Sequence, residues 1–225
     1  GDFPAFIIPD HTIASFFELP AFALLGVASA LMAIIFLKSI ALVRNTTERL
    51  RVPLWVHPAI AGCLVGLIAL EFPEILGVGY GPTDSALKEL MPLRLLILLV
   101  IFKTAATVIS LGAGFGGGVF SPSLFIGAML GGAFGIVVTN IFPDLSSGPG
   151  AYTIIGMGAM TAAILGAPIS TTLIIFEMTG DYALTLGVMV AVVIASEITQ
   201  QYRARCRAST PQEAAIIGPL SAADW

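Results

Sequence analysis

The stretch "LPAFALLGVASALMAIIFLKSIALV", residues 19–43, contains no acid and only one lysine. It is long enough to cross the hydrocarbon core of a bilayer, which takes about 20 residues. In lipid, such a segment must satisfy its backbone internally, which makes it a helix. Further apolar segments follow at 54–72, 93–111, 119–142, 152–166, 168–178 and 184–201. The chain is 57% hydrophobic and only 11% charged, with a mean hydropathy of +0.97. A soluble domain is about 25% charged, so this chain has too little polar material to cover a surface facing water. No segment alternates with a period of two, which argues against a membrane β-barrel. The predicted fold class is all-α: a multi-pass integral protein in the lipid bilayer, with residues 1–202 as its transmembrane region and 203–225 as a polar tail.

Loop chemistry orients these segments. "RNTTERLRVP" carries Arg44, Arg49 and Arg51 and reads as a short cytoplasmic loop by the positive-inside rule. Trp55 and His57 suit the interfacial end of the next segment. "PEILGVGYGPTDSALKELMP" is more acidic and reads as an exterior loop, with a turn at "GVGYGP" and a short helix from about Asp84 to Leu90. The segments at 152–166 and 168–178 are shorter than a full span, and Gly166-Ala167-Pro168 separates them. Short, interrupted apolar pieces are typical of transporters with broken helices. The chain opens "GDFPAFIIPDH", with no initiator Met and no basic stretch leading into an apolar one. The expectation is a processed product or a piece of a longer protein.

Several function classes are disfavoured. A net charge of −4 and scattered Lys and Arg residues leave no basic stripe for nucleic acid. Cys63 and Cys206 make neither a disulfide framework nor a metal site, and Cys63 reads as a small buried thiol within an apolar run. His11 and His57 lack zinc-ligand spacing. No cofactor or metal is implied. Lys103 falls inside an apolar helix, where a charge is expensive and functional by default. It either raises the positive potential along an anion route, or snorkels or pairs in support of folding. Glu177 could pair with such a lysine or cap the next helix near Thr179, Gly180 and Asp181; Glu197 reads as an interfacial, solvated carboxylate. No paired carboxylates, triad or metal cluster suggests an enzyme.

The most specific stretch is "SLGAGFGGGVFSPSLFIGAML", residues 110–130, with Gly112, Gly114, Gly116, Gly117 and Gly118 between two apolar segments. Gly112, Gly114 and Gly117 satisfy G-x-G-x-x-G, but no short strand precedes them and no ribose-binding acid follows. A P-loop fails for want of the Lys-Ser/Thr pair. A hinge between tightly passing helices is a second reading. The third is an anion site. The first turn of a helix leaves N–H groups without intrahelical partners, at the positive end of the dipole. A helix starting near Val119 within the membrane aims those amides at an anion, and preceding glycines let the backbone bend to present them. Ser121 could cap this helix, and Pro122 suits its first turn. Gly127, Gly131 and Gly135 line one face and read as packing for a neighbouring helix, with no chemistry assigned.

At these residues the chain resembles a known family. "GGGVFSPSLFIGAMLGGAFG" is similar to the G-x-F-x-P motif and following helix of the CLC chloride channels and chloride/proton antiporters. "IIGMGAMTAAILGAPISTTLIIFEMTGDYALTLGVMVAVVIAS", "FKTAATVISLGAGFGGG" and "GVGYG" resemble further stretches of that family, in order and spacing, over roughly residues 20–200. The family's fold has two halves of inverted topology, and this chain resembles the second. The resemblance implies voltage-gated chloride channel or antiporter activity, with an anion-binding stretch of Gly117, Gly118, Val119 and Phe120 in which the backbone amides of Val119 and Phe120 hold chloride. It implies a homodimer with residues 168–200 among those at the subunit contact, and a separate N-terminal repeat half as partner. The expected location is a plasma or prokaryotic inner membrane, with organism and compartment left open by the sequence. Three parts of the family pattern do not occur in this sequence: the first-half serine motif, the Gly-x-Glu-x-Pro stretch with its gating glutamate, and a last short helix with an anion-contacting tyrosine. Tyr202, in a polar tail, is not assigned that role. The alternative reading is a truncated, transport-inactive structural or interaction fragment of a membrane protein.

Overall fold

A computed structural model of the protein describes residues 18–49, 56–143, 146–180 and 182–209. Every regular element among them is helical. In chain order these are α1 (Leu19–Arg49), α2 (Val56–Glu71), a 3₁₀ turn (Pro73–Ile75), α3 (Tyr80–Leu87) and α4 (Leu93–Gly112). There follow α5 (Phe120–Ile141), α6 (Pro149–Leu165), α7 (Pro168–Thr179) and α8 (Tyr182–Ser209). Within α1, α4, α5 and α8 lie stretches long and apolar enough to cross a membrane: Leu19–Thr47, Leu93–Gly112, Phe120–Ile141 and Leu184–Cys206. The opening "GDFPAFIIPDH" with His11, the loop residues Arg51 and Trp55, and Asp181 lie outside the described residues, as does the tail beyond Ser209.

Several element boundaries differ from the sequence reading, most of all in α1, α3 and α8. α1 runs on through Arg44 to Arg49, so the basic stretch begins on the helix and not in a loop. No Gly or Pro interrupts "RNTTER", and the Thr46 and Thr47 hydroxyls donate to the carbonyls of Leu42 and Val43 at 2.8 Å. α8 likewise continues to Ser209, beyond the expected end at 201, with Lys38 Nζ 5.1 Å from the centre of the Tyr202 ring. α3 starts at Tyr80 instead of near Asp84. Gly79, at φ 86°, turns the chain into it, and Glu89 leaves it in the left-handed region at φ 60°. The turn expected at "GVGYGP" is therefore the entrance to the helix, with only Gly77 and Gly79 having positive φ.

The centre of the molecule is the α5–α6 pair, with α1 and α8 against α6 and α4 against α5. α6 is buried from Gly150 to Ile164. The glycine stripe on α5 packs as the sequence suggests. A Cβ at Gly131 would lie 2.1 Å from the carbonyl oxygen of Tyr152, and one at Gly127 would lie 2.4 Å from that of Gly156. No real Cβ tolerates such distances, so the two backbones are in direct contact, which is how helices gain dispersion energy in lipid. Both ends of α6 are tied to charged side chains from elsewhere. At its start, Gly150 N–H donates to Glu89 Oε1 at 3.0 Å, and the adjoining Ser147 N–H donates to the buried Glu18 at 2.5 Å. At its end, Arg203 donates to the carbonyls of Ala163, at 3.2 Å, and Ile164.

α2 packs differently. Ile60, Leu64, Leu67 and Leu70 are exposed on it, and so is Cys63, contrary to the expected buried thiol. In a membrane helix, apolar character implies contact with something apolar, lipid included, and does not imply a protein interior.

Candidate anion site

The site begins where α4 stops. Ala113 N–H donates to Ile109 O at 3.0 Å, Gly114 N–H to Leu111 O at 3.2 Å and Phe115 N–H to Ser110 O at 3.1 Å, which closes the helix end. The five glycines then separate by cause. Gly112 is required by packing, because a Cβ there would lie 2.4 Å from Val43 Cγ1 on α1. Gly114 is required by conformation, at φ 88°. Gly116, Gly117 and Gly118 are exposed, and a Cβ on any of them would meet nothing within 4 Å. Neither neighbours nor dihedral angles within this chain explain those three.

Val119 is the N-cap of α5, at φ −87° and ψ −8°, with its side chain buried. Its carbonyl accepts the first intrahelical bond, from Ser123 N–H at 3.0 Å. The N–H groups of Val119, Phe120 and Ser121 find no acceptor among the described residues. Ser121 does not cap the helix as expected, because it lies inside the first turn; its hydroxyl faces Val78 O at 3.4 Å. Pro122 sits in that turn, where a missing N–H costs nothing. Ser123 pins the start to the core. Its Oγ donates to Phe120 O at 2.6 Å and lies 3.3 Å from Thr161 Oγ1 on α6.

A cavity of 230 Å³ opens beside this turn, bounded by Val78, Tyr80, Phe120, Ser121, Phe125 and Met178 among others. Its wall is largely apolar. An apolar, confined surround strengthens the field of amide dipoles at the helix start relative to water.

Lys103 is buried on α4, and its ammonium donates to Ile75 O at 2.7 Å and Gly77 O at 2.8 Å. It stands 4.9 Å from the centre of the Phe125 ring. The pair with Glu177 is not formed. Glu177 is exposed near the end of α7 and makes no hydrogen bond or ion pair among the described residues. The structure thus brings Gly117, Gly118, Val119 and Phe120 together at one helix start, places Lys103 behind the neighbouring loop and leaves Glu177 outside. Sequence reasoning missed the loop Ile75–Gly79 as part of the site. Its Gly77 and Gly79 were visible as turn signals, but nothing local linked them to a helix start so far along the chain, where Ser121 stands 43 positions after Val78. Glu197, in α8, accepts from Gln201 Nε2 at 2.8 Å and is exposed, as a solvated carboxylate would be.

Residues 1–200 match the sequence pattern of the family described as "Voltage gated chloride channel". The chain belongs to the CLC family. Among its CLC relatives, the H(+)/Cl(-) exchange transporter ClcA of Vibrio campbellii is 30% identical over 196 residues, 84% of this chain and 42% of that protein. The voltage-gated ClC-type chloride channel ClcB of Escherichia coli is 41% identical over 144 residues, 63% of this chain and 34% of that protein. The fold is that of the crystal structure of a slow cyanobacterial Cl-/H+ antiporter, with a TM-score of 0.80 at 24% identity, covering 97% of this chain and 50% of that one. The chain therefore spans half or less of the length of these CLC proteins. It is an integral membrane protein with the CLC all-helical fold.

Proposed function

We propose that this chain is the C-terminal repeat half of a CLC-type chloride channel or chloride/proton antiporter, and that chloride is held at the start of α5. The N–H groups of Val119 and Phe120 are the donors, and Gly117 and Gly118 leave the approach to them open. One observation carries this reading. A membrane-length helix begins with amides that no described acceptor takes, facing a stretch where three glycines have neither a packing nor a dihedral reason to be glycine. Amide dipoles bind a halide without a full buried counter-charge, which lets it leave again. The relatives named as chloride channel and H(+)/Cl(-) exchange transporter support chloride as the cargo.

The partner in this reading is an N-terminal repeat half, which supplies the rest of the anion route. A second copy of the protein meets α7 and α8, where Ile169, Leu173, Tyr182, Met189 and Val193 present an exposed apolar face. The test is chloride efflux from liposomes. A two-repeat protein with this chain as its second half is expected to carry chloride, and the chain alone little or none. Substantial flux from the chain alone would overturn the half-transporter reading. Absence of flux from the two-repeat protein would favour a transport-inactive fragment.

A further inference from the structure

Lys103 is buried in a membrane-length helix, yet its donors do not face the α5 start. They face the backbone at the end of the 3₁₀ turn and in the loop that leads to α3, at Ile75 O (2.7 Å) and Gly77 O (2.8 Å). The same loop lies against the first turns of α5 at two further points. Gly79 is packed so closely on Phe125 that a Cβ would fall 2.2 Å from the ring's Cδ2, and Val78 O lies 3.4 Å from the Ser121 hydroxyl. Phe125 is also the ring beside the ammonium, at 4.9 Å. Lys103, the loop and the α5 start thus form one packed unit. Val78 of the loop and Tyr80 at the start of α3 line the cavity next to Phe120 and Ser121.

The geometry points to Lys103 as a positioning residue for anion specificity: it fixes the Ile75–Gly79 loop and so sets the width of the cavity beside the anion-binding amides. This inference rests on the chloride site proposed above. The reasoning is chemical. An ammonium in an apolar helix must have acceptors, and two backbone carbonyls with their dipoles turned inward provide them. A loop rich in Gly has no stiffness of its own, as Gly77 at φ 65° and Gly79 at φ 86° illustrate. A charge-assisted bond to each side of Leu76, the one to Ile75 O buried and the one to Gly77 O half-buried, holds it in one place. Backbone amides discriminate poorly among anions of equal charge, so size selection falls to the walls around them.

Binding of chloride, bromide, nitrate and thiocyanate is measured by calorimetry on a two-repeat protein carrying this chain, with and without Lys103→Met. With the loop released, the thiocyanate-to-chloride affinity ratio is expected to change by about tenfold, the order produced by altering a pocket by one methylene. A fall in all four affinities by one common factor would instead make Lys103 a distant charge and overturn the inference, as would unchanged affinities. Should Lys103→Met fail to fold, Lys103→Arg retains the charge but alters the reach to the two carbonyls. It too is expected to shift the ratio, and an unchanged ratio overturns the inference. Absence of any anion binding in the unsubstituted protein would overturn the proposed function and this inference together, whereas normal binding with an unmoved ratio overturns this inference alone.

Discussion

The start of α5 and the start of α6 are chemically opposite uses of the same structure. Each is the positive end of a helix dipole with amides that lack intrahelical partners. At α6 the chain supplies its own anions. Glu89 takes Gly150 N–H, and the buried Glu18 takes the N–H and hydroxyl of Ser147 and the Tyr152 hydroxyl, the last at 3.3 Å. At α5 no acidic side chain among the described residues bonds to the first turn, and Gly116, Gly117 and Gly118 before it are exposed. The contrast teaches that a helix start becomes a joint when carboxylates fill it. On the proposed reading, it remains available to a mobile anion when the sequence withholds them.

Substitutions can break or sharpen this contrast. The largest effect is expected from Glu18→Ala, which removes the shared acceptor of the Ser147 N–H, the Ser147 hydroxyl and the Tyr152 hydroxyl and should lower stability by about 3 kcal/mol, read as thermal unfolding in detergent. Chloride affinity per folded molecule should not change, and a loss of affinity would mean the two helix starts are not independent. Next is the far end of α6, where Arg203→Met removes the partner of the Ala163 and Ile164 carbonyls. A loss of about 2 kcal/mol is expected in the same assay, again with chloride affinity retained.

Gly118→Asp tests the converse, giving α5 a carboxylate of its own where there is open space. Chloride affinity should fall by at least about tenfold, roughly 1.4 kcal/mol, while stability holds or rises slightly. Unaltered chloride binding in a folded Gly118→Asp protein would move the anion away from this helix start. The smallest effect is expected from Glu89→Gln, which keeps an acceptor for Gly150 and loses only the charge. About 0.5 kcal/mol of stability should disappear, and the loss should shrink as salt is raised.

Much of the fold was legible because hydrophobic length is a local property. All seven apolar segments read from the sequence correspond to helices, with boundaries moved where local chemistry outlasted the apolar run, as in α1 to Arg49 and α8 to Ser209. The glycine stripe at Gly127, Gly131 and Gly135 was legible for the same reason, since its spacing is a property of one helix. The helix start near Val119 was legible from Gly118, Pro122 and the apolar run after them. Less visible was what each residue faces. Cys63 was misplaced because hydropathy cannot distinguish lipid from protein interior. Of the two readings of Glu177, the pair with Lys103 is not formed, because opposite charge in sequence says nothing about which carbonyls the chain will fold beside a lysine.

The sequence by itself determined that this protein is a set of membrane helices, broken at a glycine run and again at Gly166-Ala167-Pro168, because in lipid each segment must satisfy its own backbone. Its motifs determined the family. Only the tertiary structure decided which of the five glycines answer to packing, which to dihedral angle and which to neither, since that depends on what stands opposite each one. It also decided that Glu18 and Glu89 occupy one helix start and leave the other open, and that Lys103 holds a loop. Those are encounters between distant parts of the chain, and a buried charge takes whichever acceptors the fold brings to it.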